Sequence, residues 1–328
     1  MPYPVSSGTI QRHDLGIIVE DFAEQEARDE YRGTTIMPWY PITKDNGKWP
    51  VISLADALRQ INTKRAIGAK YVEDDFIFDF KSFQTEEDGA TSSVYDEERL
   101  MYEDYIDAET LASQRAVSLV LRSLEIEIAE TVHDLANVGT VINVAVPWSD
   151  INSDPKSDIV DAKSLMLKGD GNKNVGFGIR PNSLVLTDDL FEAVLENKKL
   201  NDRVNFTTTT HVLGTEEQQR QLVSAYFGIN VIVAKSIVNT AAKGSEQNLT
   251  SIWPSETALL VKVSNGGINM RELALGRTIL WTGDSPQKIM VEQYYNNDRR
   301  QMKYRARHHT CKKVSYPGAL CHIKGVMG

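Results

Sequence analysis

The longest regular pattern of hydrophobic and polar positions in this chain runs from residue 107 to 138. Hydrophobic residues recur there at steps of three and four, which places them on one face of a helix. That face carries Val117, Leu121, Leu124, Ile128, Val132 and Leu135, and the other face carries Arg115, Arg122, Glu125, Glu127, Glu130 and Asp134. Asp107 is suited to cap the first turn, and Gly139 follows the last periodic residue. The pattern predicts one helix of about 30 residues, about 45 Å long.

Beyond this helix, short hydrophobic runs alternate with amphipathic stretches from about residue 147 to 264. Strands are predicted at 141–146, 183–186 and 229–234, and helices at 190–195 and at 215–227, the latter stopping at Gly228. Another helix is predicted to start at Pro155 with Asp154 as its N-cap, and its apolar face carries Ile159, Ala162, Leu165 and Met166. This alternation is typical of a compact α/β domain. After it, only strands are predicted, at 257–263, 278–282, 287–295, 301–310 and 320–326. In the fourth of these, Met302, Tyr304, Ala306 and His308 alternate with basic residues, which indicates a half-exposed strand.

The N-terminal third has much weaker periodicity. Residues 1–45 are predicted to form an extended arm with little core of its own. A short helix is predicted at 53–62 and a strand at 71–80, and the polar stretch 85–93 is predicted to be a mobile tip. Residues 63–93 would then form a two-stranded excursion. Because such a ribbon is marginal alone in water, we expect it to need a partner surface.

Composition excludes several classes of protein. The chain has 328 residues, of which 41% are hydrophobic and 25% charged, as in ordinary globular proteins. It has no apolar run of 18 residues and no signal-peptide pattern, so we expect no membrane segment. The net charge of −9 argues against sequence-specific nucleic-acid binding, which usually requires a basic surface.

Charge is unevenly distributed along the chain. Residues 70–110 contain fourteen acidic and three basic residues, whereas residues 291–328 contain eight basic and two acidic residues. One interpretation is that both regions are solvated faces. The other is that they are complementary surfaces that meet, within a subunit or between subunits.

No pattern of chemistry-bearing residues predicts a catalytic, cofactor or metal site. Residues 169–174 lack the Gly-Lys-Ser/Thr of a phosphate loop, and residues 150–161 lack the glycine and glutamate of a calcium loop. The potential ligands His308, His309, Cys311, Cys321 and His322 do not have zinc-site spacing. A hairpin turning at residues 316–319 would place Cys311 about 10 Å from Cys321, too far for a disulfide. We therefore expect free thiols, a reducing cytoplasm, no cofactor, no metal and no enzyme activity.

The order of several segments resembles the major capsid proteins of tailed bacteriophages of the Hong Kong 97 type. Val94-Tyr95-Asp96-Glu97-Glu98 is similar to the segment leading into that family's long spine helix. Arg180-Pro181-Asn182-Ser183-Leu184-Val185-Leu186-Thr187 is similar to its Pro-Asn-x-Leu-Val-Leu strand. Similar segments follow in the same order at 227–233, 239–241, 252–253, 259–260 and 275–281, and in the final hairpin. The resemblance covers roughly residues 94 to 328.

This resemblance implies an α+β fold of the Hong Kong 97 type. The implied parts are an N-terminal arm (1–45), an extension loop (46–93), a peripheral domain with the spine helix (94–146), an α/β axial domain (147–264), and peripheral-domain strands with a C-terminal hairpin (265–328). It implies a homo-oligomer of hexamers and pentamers that forms an icosahedral shell around double-stranded DNA without sequence-specific binding. The location is then the virion capsid, assembled in the host cytoplasm. Expected partners are a separate scaffolding protein, a portal and decoration proteins, with no membrane.

Two alternatives remain open at this point. One is an encapsulin-like cargo compartment with the same fold, which would co-purify with an enzyme. The other is a cytoplasmic α/β enzyme, which would be a stable monomer binding a metabolite. Some family members cross-link a lysine to an asparagine of a neighbour. Lys70, Lys81, Asn296 and Asn297 are of the right types, but no motif identifies them.

The charge asymmetry predicts specific assembly contacts. Glu73, Asp74 and Asp75 are expected to dock on Lys303, Arg305 and Arg307 of an adjacent copy. Single exposed pairs contribute about 0–1 kcal/mol, so only their repetition around a capsomer would matter.

Overall fold

The computed structural model describes residues 10–11, 21–23, 25–26, 30–53, 59–73, 78–102, 107–169, 177–207, 215–265, 272–284 and 287–328. Several predicted features lie wholly or partly outside these ranges. They are Asp74 and Asp75, much of the arm, the centre of the helix predicted at 53–62, and the glycine-rich segment after residue 169.

The described chain combines strands and helices. The strands are β1 (Ile10–Gln11), β2 (Trp39–Ile42), β3 (Asn46–Ile52), β4 (Phe78–Gln84), β5 (Glu86–Tyr95), β6 (Thr140–Asn143), β7 (Ser183–Thr187), β8 (Asn230–Ala234), β9 (Ile237–Asn239), β10 (Leu249–Ser251), β11 (Thr257–Val261), β12 (Gly276–Trp281), β13 (Met290–Asn296), β14 (Gln301–Val314) and β15 (Leu320–Lys324). The helices are α1 (Gly33–Ile36), α2 (Asp96–Tyr102), α3 (Ala108–His133), α4 (Pro155–Lys168), α5 (Asp188–Glu196), α6 (Lys198–Thr207) and α7 (Glu216–Phe227), and 3-10 turns span Leu135–Asn137 and Pro317–Ala319.

The long helix α3 begins where the sequence predicted and ends earlier. The Asp107 carboxylate accepts hydrogen bonds from the backbone N–H groups of Glu109 and Thr110, as expected of an N-cap. The helix has 26 residues, about 39 Å, rather than 30. It stops because Asp134 leaves the helical conformation (φ −64°, ψ 118°) and caps the following 3-10 turn through Ala136 N. Leu135, predicted on the buried face, is therefore 58% exposed.

A six-stranded sheet packs on α3, and the long strand β14 lies at its centre. The strand order is β1-β13-β14-β12-β2, and β5 pairs antiparallel with β14 over ten residue pairs from Glu86–Thr310 to Tyr95–Gln301. The prediction that residues 85–93 form a mobile tip is therefore wrong. Along β14 the buried positions alternate with half-buried ones from Tyr304 to Thr310, which confirms the predicted half-exposed strand.

A second sheet has five strands in the order β6-β15-β11-β7-β8. Helix α4 begins as predicted, with the Asp154 carboxylate accepting from Ser157 N and Pro155 in the first turn. Helix α7 ends at Gly228 in the left-handed conformation (φ 62°), also as predicted. The sheet includes β6 and β15, which come before and after residues 147–264, so its strands are not confined to the range predicted for the axial domain.

The predicted C-terminal hairpin is wrong. The chain does turn at Pro317–Ala319, but β14 belongs to the six-stranded sheet and β15 to the five-stranded sheet. β15 pairs with β11 and β6 instead of with β14. The turn is thus a crossover from one sheet to the other. It lets β14 and β15 each complete a different sheet, which no local pattern specifies.

A separate two-stranded ribbon is formed by β3 and β4, which pair antiparallel from Asn46–Gln84 to Ile52–Phe78. The predicted excursion at 63–93 therefore has the wrong strands, because its second half is β5. Within the described part of 53–62, no residue is helical. Of the strand predicted at 71–80, residues 78–80 belong to β4 and residues 71–73 are not in a strand, whereas residues 74–77 lie outside the described residues.

Two large cores hold the fold together. One lies between α3 and the two sheets and includes Leu124, Ile128, Leu259 and Ile279. The other lies between the five-stranded sheet and helices α4, α5 and α7. Among the helices that the structure describes, none has the length and apolar character needed to cross a bilayer.

Candidate assembly surfaces

The buried carboxylate of Glu125 joins α3 to three other segments. Glu125 is 1% exposed. Its oxygens accept hydrogen bonds from Gly33 N at 2.6 Å, Trp253 Nε1 at 2.7 Å, Arg32 N at 3.1 Å and Ser236 Oγ at 3.4 Å. The three nitrogen groups can only donate, so the site suits an ionised carboxylate. The carboxylate therefore fixes α3 to the segment before β2 and to the segments after β8 and β10.

The prediction that Glu125 lies on the polar face of the helix is wrong. Glu125 follows Leu121 by four residues and precedes Ile128 by three, so it lies within the apolar stripe. This spacing in the sequence already indicated a position on the buried face. Burial raises the pKa of Glu125 above its usual value, although hydrogen bonds from Trp253, Gly33 and Arg32 oppose the shift.

Arg305 and Arg307 bind a buried acid of their own subunit. Glu292 is 2% exposed and accepts from Arg305 Nε at 2.8 Å and from Arg307 Nη2 at 3.0 Å. Arg307 also lies 2.5 Å from Asp284 and 3.5 Å from Glu87. Burial by itself would raise the pKa of Glu292, but the hydrogen bonds from Arg307 and Arg305 outweigh it, so the pKa lies below its usual value.

The other face of β14 makes a second set of contacts with the acidic region. His308 lies 3.6 Å from Asp88, and Lys312 lies 3.6 Å from the same carboxylate and also pairs with Glu127. The proximity of the His308 ring is the main reason that the pKa of Asp88 lies below its usual value, and the positive charge of Lys312 adds to it. Part of the acidic region therefore meets the basic strand within one subunit, which confirms that the two regions are complementary.

Of the remaining predicted contact residues, the structure describes Lys303 and Glu73. Lys303 is half-buried, with its Nζ 5.7 Å from the centroid of the Tyr294 ring. Glu73 is exposed, whereas Asp74 and Asp75 lie outside the described residues. Contact between these acids and a neighbouring copy stays a prediction.

The base of the β3–β4 ribbon is fixed to the crossover between the two sheets. Lys81 Nζ donates to Ser315 O at 2.9 Å, Trp49 Nε1 donates to Ser315 Oγ at 3.1 Å, and Ile52 N donates to the Tyr316 hydroxyl at 2.9 Å. Burial lowers the pKa of Lys81. The direction in which the ribbon leaves the subunit is therefore set by the crossover turn. Lys81, one of the lysines considered for cross-linking, is used in this anchor.

The segment that connects β3 to β4, described over residues 59–73, presents apolar side chains to solvent. It forms the outer part of the ribbon. Residues 59–73 are exposed apart from the half-buried Ile61. Ile67 is fully exposed, Tyr71 is 76% exposed and Val72 is 55% exposed. Side chains of this kind on a thin ribbon are typical of a surface that binds another molecule.

A groove of about 810 Å³ runs along the outer face of α3. Its apolar lining includes Val94, Leu111 and Leu119, and its charged lining consists of Arg115, Arg122, Glu26 and Glu98. Leu111 is 55% exposed and Leu119 is 42% exposed. The groove is therefore a second partly apolar surface, opposite to the face of α3 that packs in the core.

The potential metal ligands near the C-terminus are separated. His308, His309 and Cys311 lie in the six-stranded sheet, whereas Cys321 and His322 lie in the five-stranded sheet. Over the residues that the structure covers, no group of three or more His, Cys, Asp or Glu side chains is arranged to hold a metal ion.

No family model and no curated protein matches this chain in sequence. Solved structures do match its fold. A phage-related protein from Bordetella bronchiseptica RB50 is 19% identical with a TM-score of 0.67, covering 98% of this chain and 99% of that chain. The capsid of cyanophage P-SCSP1u is 11% identical with a TM-score of 0.54, covering 88% and 86%. The SrpI encapsulin from Synechococcus elongatus PCC 7942 is 12% identical with a TM-score of 0.51, covering 89% and 86%.

These likenesses run over nearly the whole length of both chains, and they establish the fold. The chain has the α+β fold of Hong Kong 97-type capsid proteins, which confirms the fold that the sequence resemblance implied.

Proposed function

We propose that this chain is a structural major capsid protein that forms hexamers and pentamers and closes into an icosahedral shell around double-stranded DNA. The fold is one used by a cyanophage capsid, and a phage-related protein shares it over almost its full length. The shell would be the virion capsid, assembled in the host cytoplasm. The ranges expected for the arm, extension loop, peripheral domain and axial domain remain part of this proposal.

The observation that carries the proposal is the exposed ribbon. The β3–β4 ribbon is fixed by three hydrogen bonds to the crossover, yet Ile67, Tyr71 and Val72 remain exposed among the described residues. Exposed apolar side chains on such a segment gain stability by lying on another molecule. In a closed shell each subunit supplies such a ribbon and receives one.

The groove along α3 supports the same proposal. It offers Leu111 and Leu119 as apolar contacts, and the exposed segment 59–73 carries Ile67, Tyr71 and Val72. The segment of one copy and the groove of the next are therefore both partly apolar, and each gains stability by covering the other. Repeated around a capsomer, this contact is of the head-to-tail kind that closes rings. Arg305 and Arg307 already bind Glu292 within the subunit, so we favour the groove over these two arginines as the docking site.

The acidic balance of the chain is consistent with a container for DNA. With a net charge of −9, a shell wall would not hold the genome tightly by counterion release. Scaffolding, portal and decoration proteins are the partners that we expect.

An encapsulin-like compartment is the second candidate. The SrpI encapsulin shares the fold over 89% of this chain, so the fold does not distinguish the two uses. Shells purified from the native source should contain DNA if the first proposal is right. A protein cargo in place of DNA would favour the second.

The test is to express the chain alone and examine it by sedimentation velocity and electron microscopy. Capsomers or closed shells are expected, and a sole species of 36.7 kDa at near-native salt would refute the proposal. Ile67→Asp should reduce assembly at least tenfold without changing the circular-dichroism spectrum. The matched control is Gln60→Asp, which adds the same charge to the same exposed segment without removing an apolar contact. Equal assembly of the two variants would show that the ribbon does not make the contact.

A further inference from the structure

A half-buried histidine and a buried histidine meet where the end of α3 packs on the five-stranded sheet. His133 is in the last turn of α3, and His322 is in β15 and is 1% exposed. Their ring centroids are 5.6 Å apart. The pair therefore lies at the junction between the long helix and the second sheet, away from the ribbon and the groove.

Each ring is held by a hydrogen bond to a carbonyl group of α3. His133 Nδ1 lies 2.8 Å from Ala129 O, and His322 Nε2 lies 3.0 Å from Val132 O. Because a carbonyl oxygen can only accept, both of these nitrogens carry their hydrogens. His133 Nε2 is buried and has no hydrogen-bond partner within the described part of the chain. A neutral imidazole that carries its hydrogen on the bonded nitrogen satisfies each of these two hydrogen bonds.

The surroundings oppose a positive charge on either ring. The indole of Trp253 packs edge-on against His133 with ring centroids 5.7 Å apart, and it separates the pair from Glu125, which binds the indole Nε1. β6 and β11, which flank β15, have no titratable side chains, and Lys324 adds positive charge near His322. On α3, Glu130 and Asp134 are exposed to solvent. Two imidazolium rings here would repel each other without a buried acid beside them.

We propose that His133 and His322 form an acid-sensitive latch, which holds the end of α3 to β15 while both rings are neutral and releases it when they take up protons. Release would break the hydrogen bond from His322 to Val132 O and separate the last turn of α3 from β15. The latch is a property of the single subunit, so it does not depend on the proposed shell.

The pH range follows from the direction of the shifts. Burial lowers the pKa of His133, and burial lowers the pKa of His322 to about 4. In the released state both rings regain an ordinary pKa near 6.5, so release is accompanied by proton uptake. The stability of the junction is therefore complete above about pH 6.5 and is lost as the pH falls toward about 4.

Amide hydrogen exchange of the full chain, measured between pH 7 and pH 4.5, tests the latch. Protection factors are corrected for the intrinsic pH dependence of exchange. Peptides covering residues 127–138 and 318–326 should lose protection before peptides of β13 and β14. With two protons taken up, the loss should approach about 100-fold per pH unit, and with one proton about tenfold.

The variants His133→Asn and His322→Gln keep the donor nitrogen in a similar place and cannot titrate. Each single variant should reduce the slope to about tenfold per pH unit, and the double variant should remove the slope. If the double variant does not fold, the two single variants still decide the question. His309→Gln is the control, because burial also lowers the pKa of His309 but that residue lies in the six-stranded sheet.

Two results would overturn the proposal. One is protection at 127–138 and 318–326 that stays constant from pH 6.5 to pH 4.5 in the wild type. The other is a slope in the single or double variants equal to that of the wild type. Both can be read whether the chain is a monomer, a capsomer or a shell.

Discussion

The Glu125 carboxylate accepts a hydrogen bond from the Trp253 indole at 2.7 Å, although the two residues are 128 positions apart in the chain. Glu125 is near the centre of α3, and Trp253 follows β10, which pairs with β9 in a small two-stranded sheet. The same carboxylate also binds the backbone before β2. One side chain thus connects parts of the chain that the sequence analysis assigned to the arm, the peripheral domain and the axial domain.

Glu125→Gln should destabilise the subunit by about 1.5–3 kcal/mol. Glutamine replaces one acceptor oxygen with an N–H₂ group, which would face donors such as Gly33 N and Trp253 Nε1. Urea unfolding followed by circular dichroism measures the change. Glu130→Gln is the control, because Glu130 is exposed on the same helix, and a change below about 0.5 kcal/mol is expected there. Equal stability of the two variants would mean that the Glu125 hydrogen bonds contribute no net stability.

Local sequence patterns predicted those features that depend on residues close by in the chain. The Asp107 and Asp154 caps, the glycine stop at Gly228 and the alternation along β14 depend on neighbours within a few residues, and all were predicted. The fold could be predicted because several short segments resemble those of the capsid family and occur in the same order.

Features that depend on distant partners were not predicted. The polar stretch of β5 becomes a strand because β14 supplies its hydrogen bonds and its basic partners. β14 and β15 separate because β11 and β6 provide another sheet for β15. The carboxylate of Glu125 was placed in solvent because its four donors come from residues far away in sequence. The ribbon was expected, but its strands were assigned to the wrong residues.

Gly139 has a structural role different from the predicted one. It was expected to end the long helix, which in fact ends at His133. Gly139 instead passes close to the crossover turn, with its N–H donating to Leu320 O at 3.2 Å. A Cβ atom at Gly139 would lie 2.5 Å from Gly318 Cα and 2.8 Å from Pro317 O. Glycine is required here by a close approach of two backbones.

Gly139→Ala should therefore cost roughly 3 kcal/mol, because backbone atoms of the turn cannot move aside as a flexible side chain would. Gly244→Ala is the comparison, since no atom lies within 4 Å of its Cβ position and only its positive φ of 91° opposes alanine. That backbone cost is about 1 kcal/mol. Thermal unfolding of both variants gives the difference, and a smaller loss for Gly139→Ala than for Gly244→Ala would contradict the close approach.

Substitutions at two leucines of α3 should distinguish an effect on folding from an effect on assembly. Leu124 is 1% exposed within the core, whereas Leu119 is 42% exposed in the groove. Leu124→Asp should prevent folding, because an unpaired buried charge costs several kcal/mol against a typical total of about 5–15 kcal/mol. Leu119→Asp should keep the wild-type melting temperature within a few degrees and reduce assembly. Circular dichroism and sedimentation velocity measure the two properties, and soluble, stable Leu124→Asp protein would show that this face is not buried.

The ion pair between Arg307 and Glu292 gives a prediction with a definite pH dependence. Arg307→Gln leaves Glu292 buried with fewer donors, so we expect a loss of about 3 kcal/mol at pH 7. Lys303→Gln is the control on the same strand, and its half-buried lysine contacts only the Tyr294 ring among the contacts that the structure records for it. A change below about 1 kcal/mol is expected for that variant.

Acid should reduce the difference between Arg307→Gln and the wild type. In the wild type the pKa of Glu292 lies below its usual value, so its ion pairs stabilise the fold above about pH 4.5 and lose their effect as the pH falls below that. Without Arg307, burial dominates and the pKa of Glu292 should rise, so the variant gains from protonation where the wild type loses. Urea unfolding at several pH values between 7 and 4 should show the deficit shrinking by up to about 1.4 kcal/mol per pH unit near the shifted pKa. A deficit that stays constant over this range would mean that Arg307 stabilises the sheet by packing rather than by its charge.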